Sequence, residues 1–301
     1  MTSSPQTPAP GSASRTETIT VAIGETGSDR RPGASFPAMP VMLTWAPDRA
    51  ASDTIGHVWL HHGFARQPSH LDVFTDVLVD AGFVVARPHV SSFRRPRTLN
   101  DGPYLAGVIA GYDTAVAHGV VDPIVGLDIS SLGFVLVGHS AGGAVVVHQA
   151  ATLARDGDAT LTVNGVVLLD ANESLSKLMA PVLDELDDVA MLLCSARPHR
   201  CNRSAMVSRM LLEQRHQFVG AMFPTGGHCD AEGRADFTCR AMCGGGVPDP
   251  ADVDALHQLS AAWVGDCARQ HIDAQWRPGG ARFDHLVTSG RITTLDSTPP
   301  R

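Results

Sequence analysis

Apolar runs and helical patterns alternate along most of the chain, and their spacing predicts both types of element. Continuous apolar runs of about four to eight residues, bounded by turn residues, are typical of buried strands. Apolar side chains that recur every three to four residues, as at Leu71, Phe74 and Leu78, are typical of a helix packed on one face. The pattern predicts strands over residues 18–23, 40–46, 58–61, 83–88, 133–138, 163–170, 189–195 and 217–224, and helices over 69–81, 104–118 and 251–270.

The order of these elements predicts the fold class. Strands that are apolar throughout and separated by helices are typical of a parallel sheet that is covered on both faces. We therefore predict an α/β fold with a mostly parallel sheet and helices on both faces, in which the early strands 18–23 and 40–46 run antiparallel. The chain contains no internal repeat and no second set of elements, so one domain is predicted over residues 18–295. Residues 1–17 are small, polar and Pro-rich, which is typical of a disordered tail.

Composition and charge narrow the range of functions without choosing among enzymes. The chain of 301 residues is 44% hydrophobic and 18% charged, which fits a globular α/β domain. Its formal net charge of −8 argues against a nucleic-acid partner, because proteins that bind nucleic acids present basic surfaces. No stretch approaches the roughly 20 apolar residues that a membrane-spanning helix needs, so no membrane span is predicted.

The six cysteines all lie in the second half of the chain and leave two interpretations open. Their even number allows three bridges, and Cys194–Cys201 and Cys239–Cys243 are close enough in sequence to pair locally. They form no C-x-x-C motif, and no histidine is spaced to complete a zinc site with them. The absence of a visible export signal favours reduced thiols in the cytoplasm. The clustering in loop-rich segments would instead suit a secreted protein from which an upstream signal peptide was removed.

The most informative segment is LGFVLVGHSAGGAVVV at residues 132–147, which contains a G-x-S-x-G motif. An apolar strand precedes the motif and a helical run follows it, which is the context in which the serine of this motif acts as a nucleophile. The glycines on either side allow a sharp turn that projects the hydroxyl group above the sheet. The start of the next helix carries a partial positive charge that favours an oxyanion. We predict that Ser140 is the nucleophile.

A serine nucleophile needs a histidine base, and the best candidate is His228 in the segment FPTGGHCD. The segment follows the last apolar strand and contains two glycines, so a flexible loop can return the side chain over the carboxyl ends of the strands, where the chemistry of such sheets collects. His285, near the end of the chain, is the alternative base.

The acid that orients the histidine is less obvious, because the loop after the strand 189–195 reads ARPHRCNRS and contains no carboxylate. Asp170 ends the preceding strand, at the same edge of the predicted sheet as Ser140, and is the best candidate. Glu173 is the fallback. Asp170 can also be interpreted as the N-cap of a helix that starts at Ser174, a purely structural role.

An oxyanion hole needs two backbone N–H groups, and the sequence suggests Ala141, which follows the nucleophile, and Phe64 in the segment His61-His62-Gly63-Phe64. Neighbouring residues on a strand point to opposite faces, so His61 and His62 predict no metal site. No metal or other cofactor is predicted.

Four side chains are candidate substrate contacts. Phe64 lines the acyl pocket in this interpretation, and His139, next to the nucleophile, has either this role or a structural one. Leu175 and Met179 belong to an apolar stripe at helical spacing that usually indicates packing. At the mouth of the site, the same stripe would form an apolar wall.

The motifs HHGF at 61–64, GHSAGG at 138–143, LLD at 168–170 and GGHCD at 226–230 together resemble the α/β-hydrolase superfamily, with its chain order Ser, Asp, His. Within it, the pattern is similar to chlorophyllases and to cutinase-like and dienelactone-hydrolase-like esterases. In chlorophyllases the acid also follows the strand after the nucleophile, within an L-D-P motif, which favours Asp170. This chain differs from them by Ala171 in place of that proline and by Ala141 in place of an arginine.

The resemblance covers roughly residues 18–290 and implies an α/β-hydrolase fold. It also implies a serine carboxylic-ester hydrolase that forms an acyl-enzyme on short to medium acyl esters or polyesters, without a cofactor. The substrate would then be a small-molecule or polymeric ester. Two alternatives stay open at this point: an acyltransferase or thioesterase that uses the same triad, and a non-catalytic relative that binds a small apolar ligand.

Overall fold

The computed structural model describes residues 13–23, 38–93, 98–214, 218–234, 237–243 and 246–296, so residues 1–12 of the predicted tail lie outside the described part of the chain. Nine strands in these residues form one sheet. They are β1 (Arg15–Val21), β2 (Met39–Trp45), β3 (Gly56–His61), β4 (Phe83–Pro88), β5 (Phe134–His139), β6 (Val163–Leu169), β7 (Ala190–Ala196), β8 (Val219–Phe223) and β9 (Thr293–Asp296).

The sheet has the strand order β1-β2-β4-β3-β5-β6-β7-β8-β9. The six central strands pair in parallel, in the order β4, β3, β5, β6, β7 and β8. β1, β2 and β9 are antiparallel additions at the two edges. This arrangement confirms the prediction of a mostly parallel sheet with antiparallel early strands. β1 starts at Arg15, inside the segment predicted as tail, because residues 15–17 pair with the end of β2.

Eight α-helices lie in the described residues, and they cover both faces of the sheet, as predicted. They are α1 (Asp72–Asp80), α2 (Gly102–Ala117), α3 (Asp122–Val125), α4 (Ala141–Arg155), α5 (Met206–Glu213), α6 (Phe237–Cys243), α7 (Pro250–Arg269) and α8 (Ala281–Thr288). None of the helices that the structure describes is both long enough and apolar enough to cross a membrane.

Two apolar cores lie on opposite faces of the sheet, because the side chains of each strand alternate between them. On β3, Trp59 packs with α2 and α4 on one face, whereas Val58 and Leu60 pack with α1 and α7 on the other. The Trp59 indole N–H donates to Gln149 Oε1 at 2.9 Å, so this buried polar pair is satisfied. Helices therefore pack against the central strands from both faces, and this packing fixes the positions of the carboxyl ends of the strands.

The last part of the chain differs from the prediction, in which the helix 251–270 closes the fold. α7 matches that helix, but α8 and β9 follow it, and β9 extends the sheet beyond β8. The segment after Asp170 also differs, because turns and a 3₁₀ helix, Ala180–Leu186, replace the predicted helix from Ser174. Asp170 consequently caps no helix.

Candidate active site

The turn between β5 and α4 places Ser140 at the carboxyl edge of the sheet. Ser140 is the single residue between the two elements, and its φ of 55° lies in the left-handed region that non-glycine residues rarely adopt. The neighbouring strand β6 supports this turn, because the Ser140 N–H donates to Leu169 O at 3.1 Å. Asn172 N–H in turn donates to Ser140 O at 2.9 Å. Ser140 and Asp170 therefore follow the paired ends of adjacent strands.

Two glycines of the motif are required by close approach of backbone segments. A Cβ atom on Gly138 would lie 2.4 Å from Gly142 O. A Cβ atom on Gly142 would lie 2.5 Å from His61 O and 2.6 Å from His62 O, and backbone oxygens cannot move aside as a flexible side chain does. The helix that follows Ser140 is therefore packed directly against the loop after β3.

We predict from this packing that Gly142→Ala displaces the 61–64 loop and lowers kcat/KM by about 10²-fold or more, the usual cost of losing an oxyanion donor. Overpacking should also lower the free energy of unfolding by about 1–3 kcal/mol. The matched control is Gly157→Ala, because a Cβ atom at Gly157 meets no atom within 4 Å. Ester hydrolysis and urea unfolding measure both effects. Wild-type values for Gly142→Ala would contradict the prediction.

The structure brings the three predicted catalytic side chains together in one hydrogen-bonded chain. His228 Nε2 lies 2.8 Å from Ser140 Oγ, and His228 Nδ1 lies 2.6 Å from Asp170 Oδ2. All three residues are buried, with 5–8% of their surface exposed. A carboxylate only accepts, so Nδ1 carries the proton and Nε2 is left to accept the Ser140 hydroxyl proton.

The Asp170 carboxylate is saturated by N–H donors, and two of these come from residues that sequence reasoning missed. Oδ1 accepts the Ala196 N–H at 2.9 Å and Asn202 Nδ2–H at 3.0 Å, while Oδ2 also lies 3.1 Å from His199 Nε2. Burial by itself raises the pKa of a carboxyl, but the hydrogen bonds from His199, His228 and Asn202 outweigh it. They hold the pKa of Asp170 well below its usual range.

The signal that pointed to His199 and Asn202 was available in the loop ARPHRCNRS after β7. That loop contains no carboxylate but does contain a histidine and an asparagine at the carboxyl end of a strand. The acid comes from β6 instead, and the loop after β7 supplies its hydrogen-bond donors. Glu173, the fallback acid, is buried and occupied elsewhere, because it accepts the backbone N–H groups of Ser174, Met179 and Ala180.

His139 fixes the loop that carries His228. Its Nε2–H donates to His228 O at 2.8 Å, and the two rings lie 4.9 Å apart. Burial lowers the pKa of His139 to about 3, so the ring is neutral at ordinary pH. A further buried ion pair joins Arg66 Nε, from the loop after β3, to Glu232 Oε1 at 2.8 Å. This ion pair therefore links the loop that carries Phe64 to the segment that carries His228.

Phe64 and Ala141, the predicted oxyanion-hole residues, both line the pocket that opens on Ser140. Ala141 is the first residue of α4, and the first N–H groups of a helix have no acceptor within the helix. The loop before Phe64 approaches the nucleophile closely, since a Cβ atom on Gly63 would lie 3.2 Å from Ser140 Oγ. The N–H of Ala65 donates to Ser92 Oγ at 2.7 Å, which fixes the far side of this loop.

The pocket has a volume of about 280 Å³ and a mainly apolar lining. Phe64 and Leu175 line it as predicted; Leu175 is 76% exposed, and the Phe64 ring packs edge-on against Phe93, with centroids 5.2 Å apart. His139 also lines the pocket, although it is almost fully buried. The prediction for Met179 is wrong, because the irregular chain after Asp170 turns this side chain into the core, where it is fully buried.

Helix α6 forms one wall of the pocket, and two disulfides attach it to the loops of the site. Cys239 bridges to Cys229, next to His228, and Cys243 bridges to Cys201, two residues after His199. The prediction of reduced thiols is therefore wrong for these four residues. The local pairs are also wrong. Cys194 is a free, buried cysteine in β7, so it does not pair with Cys201. Cys239 and Cys243 lie four residues apart on α6, where Cβ atoms are about 5–6 Å apart, too far for a bridge.

Two groups of side chains in the described residues lie close enough together to be considered for a metal ion. The first comprises Cys229, Cys239 and Cys243, but their sulfurs are engaged in disulfides and are not thiolate ligands. The second comprises Asp170, His199 and His228, whose facing atoms already form hydrogen bonds with one another. His285, the alternative base, is exposed on α8 and is not among the residues that line the pocket.

The comparisons with known proteins address the fold. No model of a known protein family matches the sequence, and no curated protein matches it. Among solved structures, the chain is similar to the dienelactone hydrolase from Anabaena variabilis, with 17% sequence identity and a TM-score of 0.56. The similarity covers 83% of this chain and 96% of that one. The protein therefore has the α/β-hydrolase fold that the sequence motifs implied.

Proposed function

We propose that this protein is a serine hydrolase that cleaves carboxylic esters with short to medium acyl chains through an acyl-enzyme on Ser140. The observation that carries the proposal is the unbroken chain from Ser140 Oγ through His228 to Asp170, with distances of 2.8 and 2.6 Å. A nucleophile within hydrogen-bond distance of a base, which is oriented in turn by a carboxylate, is the arrangement that acyl transfer requires.

The mechanism follows from the same contacts. His228 Nε2 takes the proton of Ser140 Oγ as this oxygen attacks the ester carbonyl carbon, and Asp170 stabilises the imidazolium that forms. The negative charge on the carbonyl oxygen is stabilised by the N–H groups of Phe64 and Ala141. His228 then gives the proton to the departing alkoxide. A water molecule, deprotonated by His228, then attacks the acyl carbon. The bond from this carbon to Ser140 Oγ breaks, Ser140 takes the proton back from His228, and the acid is released.

The size and lining of the pocket support the acyl-chain range. A volume of about 280 Å³ lies just below the usual range of ligand pockets, roughly 300–1,000 Å³. Phe64, Leu175 and Met242 supply apolar surface beside the nucleophile. Because the two disulfides hold α6 in place, we expect this wall to remain fixed when substrate binds.

The test is a series of p-nitrophenyl esters from acetate to laurate, combined with a fluorophosphonate that reacts covalently with activated serines. We expect turnover that is highest for short and medium chains and falls for laurate, and a single label on the peptide that contains Ser140. An enzyme that hydrolyses none of these esters and takes up no label would overturn the proposal. Ester product in place of free acid after addition of an alcohol would favour the acyltransferase alternative.

A further inference from the structure

Two imidazole rings share one oxygen of Asp170. His228 Nδ1 lies 2.6 Å from Oδ2, and His199 Nε2 lies 3.1 Å from the same atom. The two rings meet edge-on, with their centroids 5.3 Å apart and their planes at 67°. The second histidine therefore reaches the acid of the proposed triad directly, without contacting the nucleophile.

The backbone determines which nitrogen of His199 carries the proton. His199 Nδ1 accepts the Cys201 N–H at 3.0 Å, so this nitrogen has no proton in the neutral ring. The proton is then on Nε2, which donates to Asp170. The loop is held by Asn202, whose Oδ1 accepts the N–H groups of His199 and Ala205 at 3.0 and 2.9 Å. His199 is thus oriented as a donor by its surroundings.

The other donors to Asp170 make the contribution of His199 distinctive. Ala196 N–H and Asn202 Nδ2–H both bond to Oδ1, so they position the carboxylate without competing for the atom that faces His228. Only His199 shares Oδ2 with His228 among the hydrogen bonds that the structure describes for Asp170. A donor on the same oxygen withdraws negative charge from the bond between Asp170 and His228.

We propose that His199 is a positioning residue that holds Asp170 in place and, by sharing Oδ2, sets the pH at which His228 becomes available as the base. This inference rests on the proposed function and assigns a second histidine to the same site. With His199 present, the negative charge of Oδ2 is divided between two N–H donors. Without His199, the full negative charge of Oδ2 interacts with His228. This interaction stabilises the imidazolium form of His228 and keeps His228 protonated to a higher pH.

The other charged and titratable groups around the two rings do not provide the same control. His139 faces His228 from β5 at 4.9 Å between ring centroids, but burial lowers the pKa of His139 to about 3, so it stays neutral over the relevant pH range. Behind His139, the charges of Arg66 and Glu232 are paired with each other. Asp230, two residues after His228, accepts the Gly227 N–H at 2.7 Å, and burial raises its pKa; it is the same in every variant compared, so it does not account for a difference between them. Asp170 stays ionised throughout, because its pKa lies well below its usual range.

The experiment compares His199→Leu, which removes the donor, with His199→Gln, whose side-chain amide can donate from a position similar to Nε2. The control is His285→Gln on α8, an exposed histidine outside the site. For His199→Leu we expect the acid limb of the kcat/KM profile to move up by about 0.5–1 pH unit and the plateau to fall about 3- to 10-fold. His199→Gln should restore most of both, and the control should match the wild type.

A second readout separates this inference from the proposed function. NMR titration of ¹⁵N-histidine-labelled protein follows His228 directly and needs no substrate. A higher midpoint for His228 in folded His199→Leu, reversed in His199→Gln, supports the inference even if every ester in the panel is inert. An unchanged midpoint in folded His199→Leu overturns the inference, even if ester hydrolysis is established.

Thermal unfolding shows whether each variant is folded. If His199→Leu is unfolded, the midpoint in His199→Gln against wild type decides, and a shift of a whole pH unit there overturns the inference.

Discussion

Replacing Ser140 with alanine is expected to lower kcat/KM for p-nitrophenyl butyrate by about 10⁴- to 10⁶-fold. The substitution removes the only oxygen that lies 2.8 Å from His228 Nε2 among the described side chains, so the proposed acyl-enzyme could not form. The residual rate would come from the oxyanion hole and from substrate binding alone. Initial rates of nitrophenolate release measure this loss, and the fluorophosphonate label should disappear with it.

The fold should tolerate Ser140→Ala. Alanine meets the same restriction as serine at a φ of 55°, and the backbone bonds of Ser140 to Leu169 and Asn172 do not involve the side chain. The melting temperature should therefore change little.

The matched control is Ser131→Ala, an exposed serine in the 3₁₀ turn at the opposite end of β5. We expect this variant to hydrolyse the ester at the wild-type rate. Activity of Ser140→Ala within about tenfold of the wild type would refute the assignment of the nucleophile.

The parts of the fold that could be predicted from sequence are those that depend on local pattern. The strand, turn and helix around Ser140 occupy consecutive residues, and the apolar run, the two glycines and the next apolar run each favour the same arrangement. The central strands were predicted for a similar reason, because strands buried on both faces are apolar throughout. β4 matches its predicted range 83–88 in full.

The elements that were missed depend on tertiary contacts. β9 has the sequence TTLD, which is short and mostly polar, and it becomes a strand by pairing with β8 at the edge of the sheet. Met179 fitted a helical stripe, but Glu173 accepts the backbone N–H groups of Met179 and Ala180 and holds this segment in a different turn. The pattern of apolar residues was real, whereas the assumed helix was wrong.

The same limit applies to the site. Sequence reasoning located Asp170 and His228 by asking which residues follow buried strands, and the structure brings both to Ser140. It missed His199, although the loop after β7 carries this histidine at the carboxyl end of a strand. It could not find the disulfide partners, because the path of an irregular loop determines which of its side chains meet. The pairs Cys201–Cys243 and Cys229–Cys239 join segments whose proximity no spacing rule reveals.

Cross-links between loops explain how irregular segments can hold a precise arrangement. Arg66 and Glu232 join the loop after β3 to the loop of His228 through a buried ion pair. His139 holds the backbone of His228 from β5. Helix α6 is attached by disulfides to the loops after β7 and β8. Such fixed donors are what makes electrostatic stabilisation of an oxyanion effective, because they need no reorganisation during the reaction.

The second large effect is expected for Asp170→Asn, which should lower kcat by about 10⁴-fold. Both carboxylate oxygens accept two N–H groups, so the new amide group must face two donors in either orientation. At the Oδ1 position it would face the backbone N–H of Ala196, which cannot change. We therefore expect the amide at the Oδ2 position, where His228 can move its proton from Nδ1 to Nε2.

That tautomer accepts the amide of residue 170 but leaves Nε2 protonated and unable to take the proton of Ser140. His199 cannot change its tautomer in the same way, because its Nδ1 accepts the Cys201 N–H. The partly buried Nε2–H of His199 is then left unsatisfied, which should lower the free energy of unfolding by about 1 kcal/mol. Kinetics, urea unfolding and the ¹⁵N shifts of His228 measure the three consequences separately.

Glu173→Gln provides the comparison. Glu173 accepts backbone N–H groups that can also bond to a neutral amide oxygen, so this variant should lose less than about tenfold in kcat. A loss of less than about tenfold for Asp170→Asn would contradict the proposed role of Asp170 as the acid.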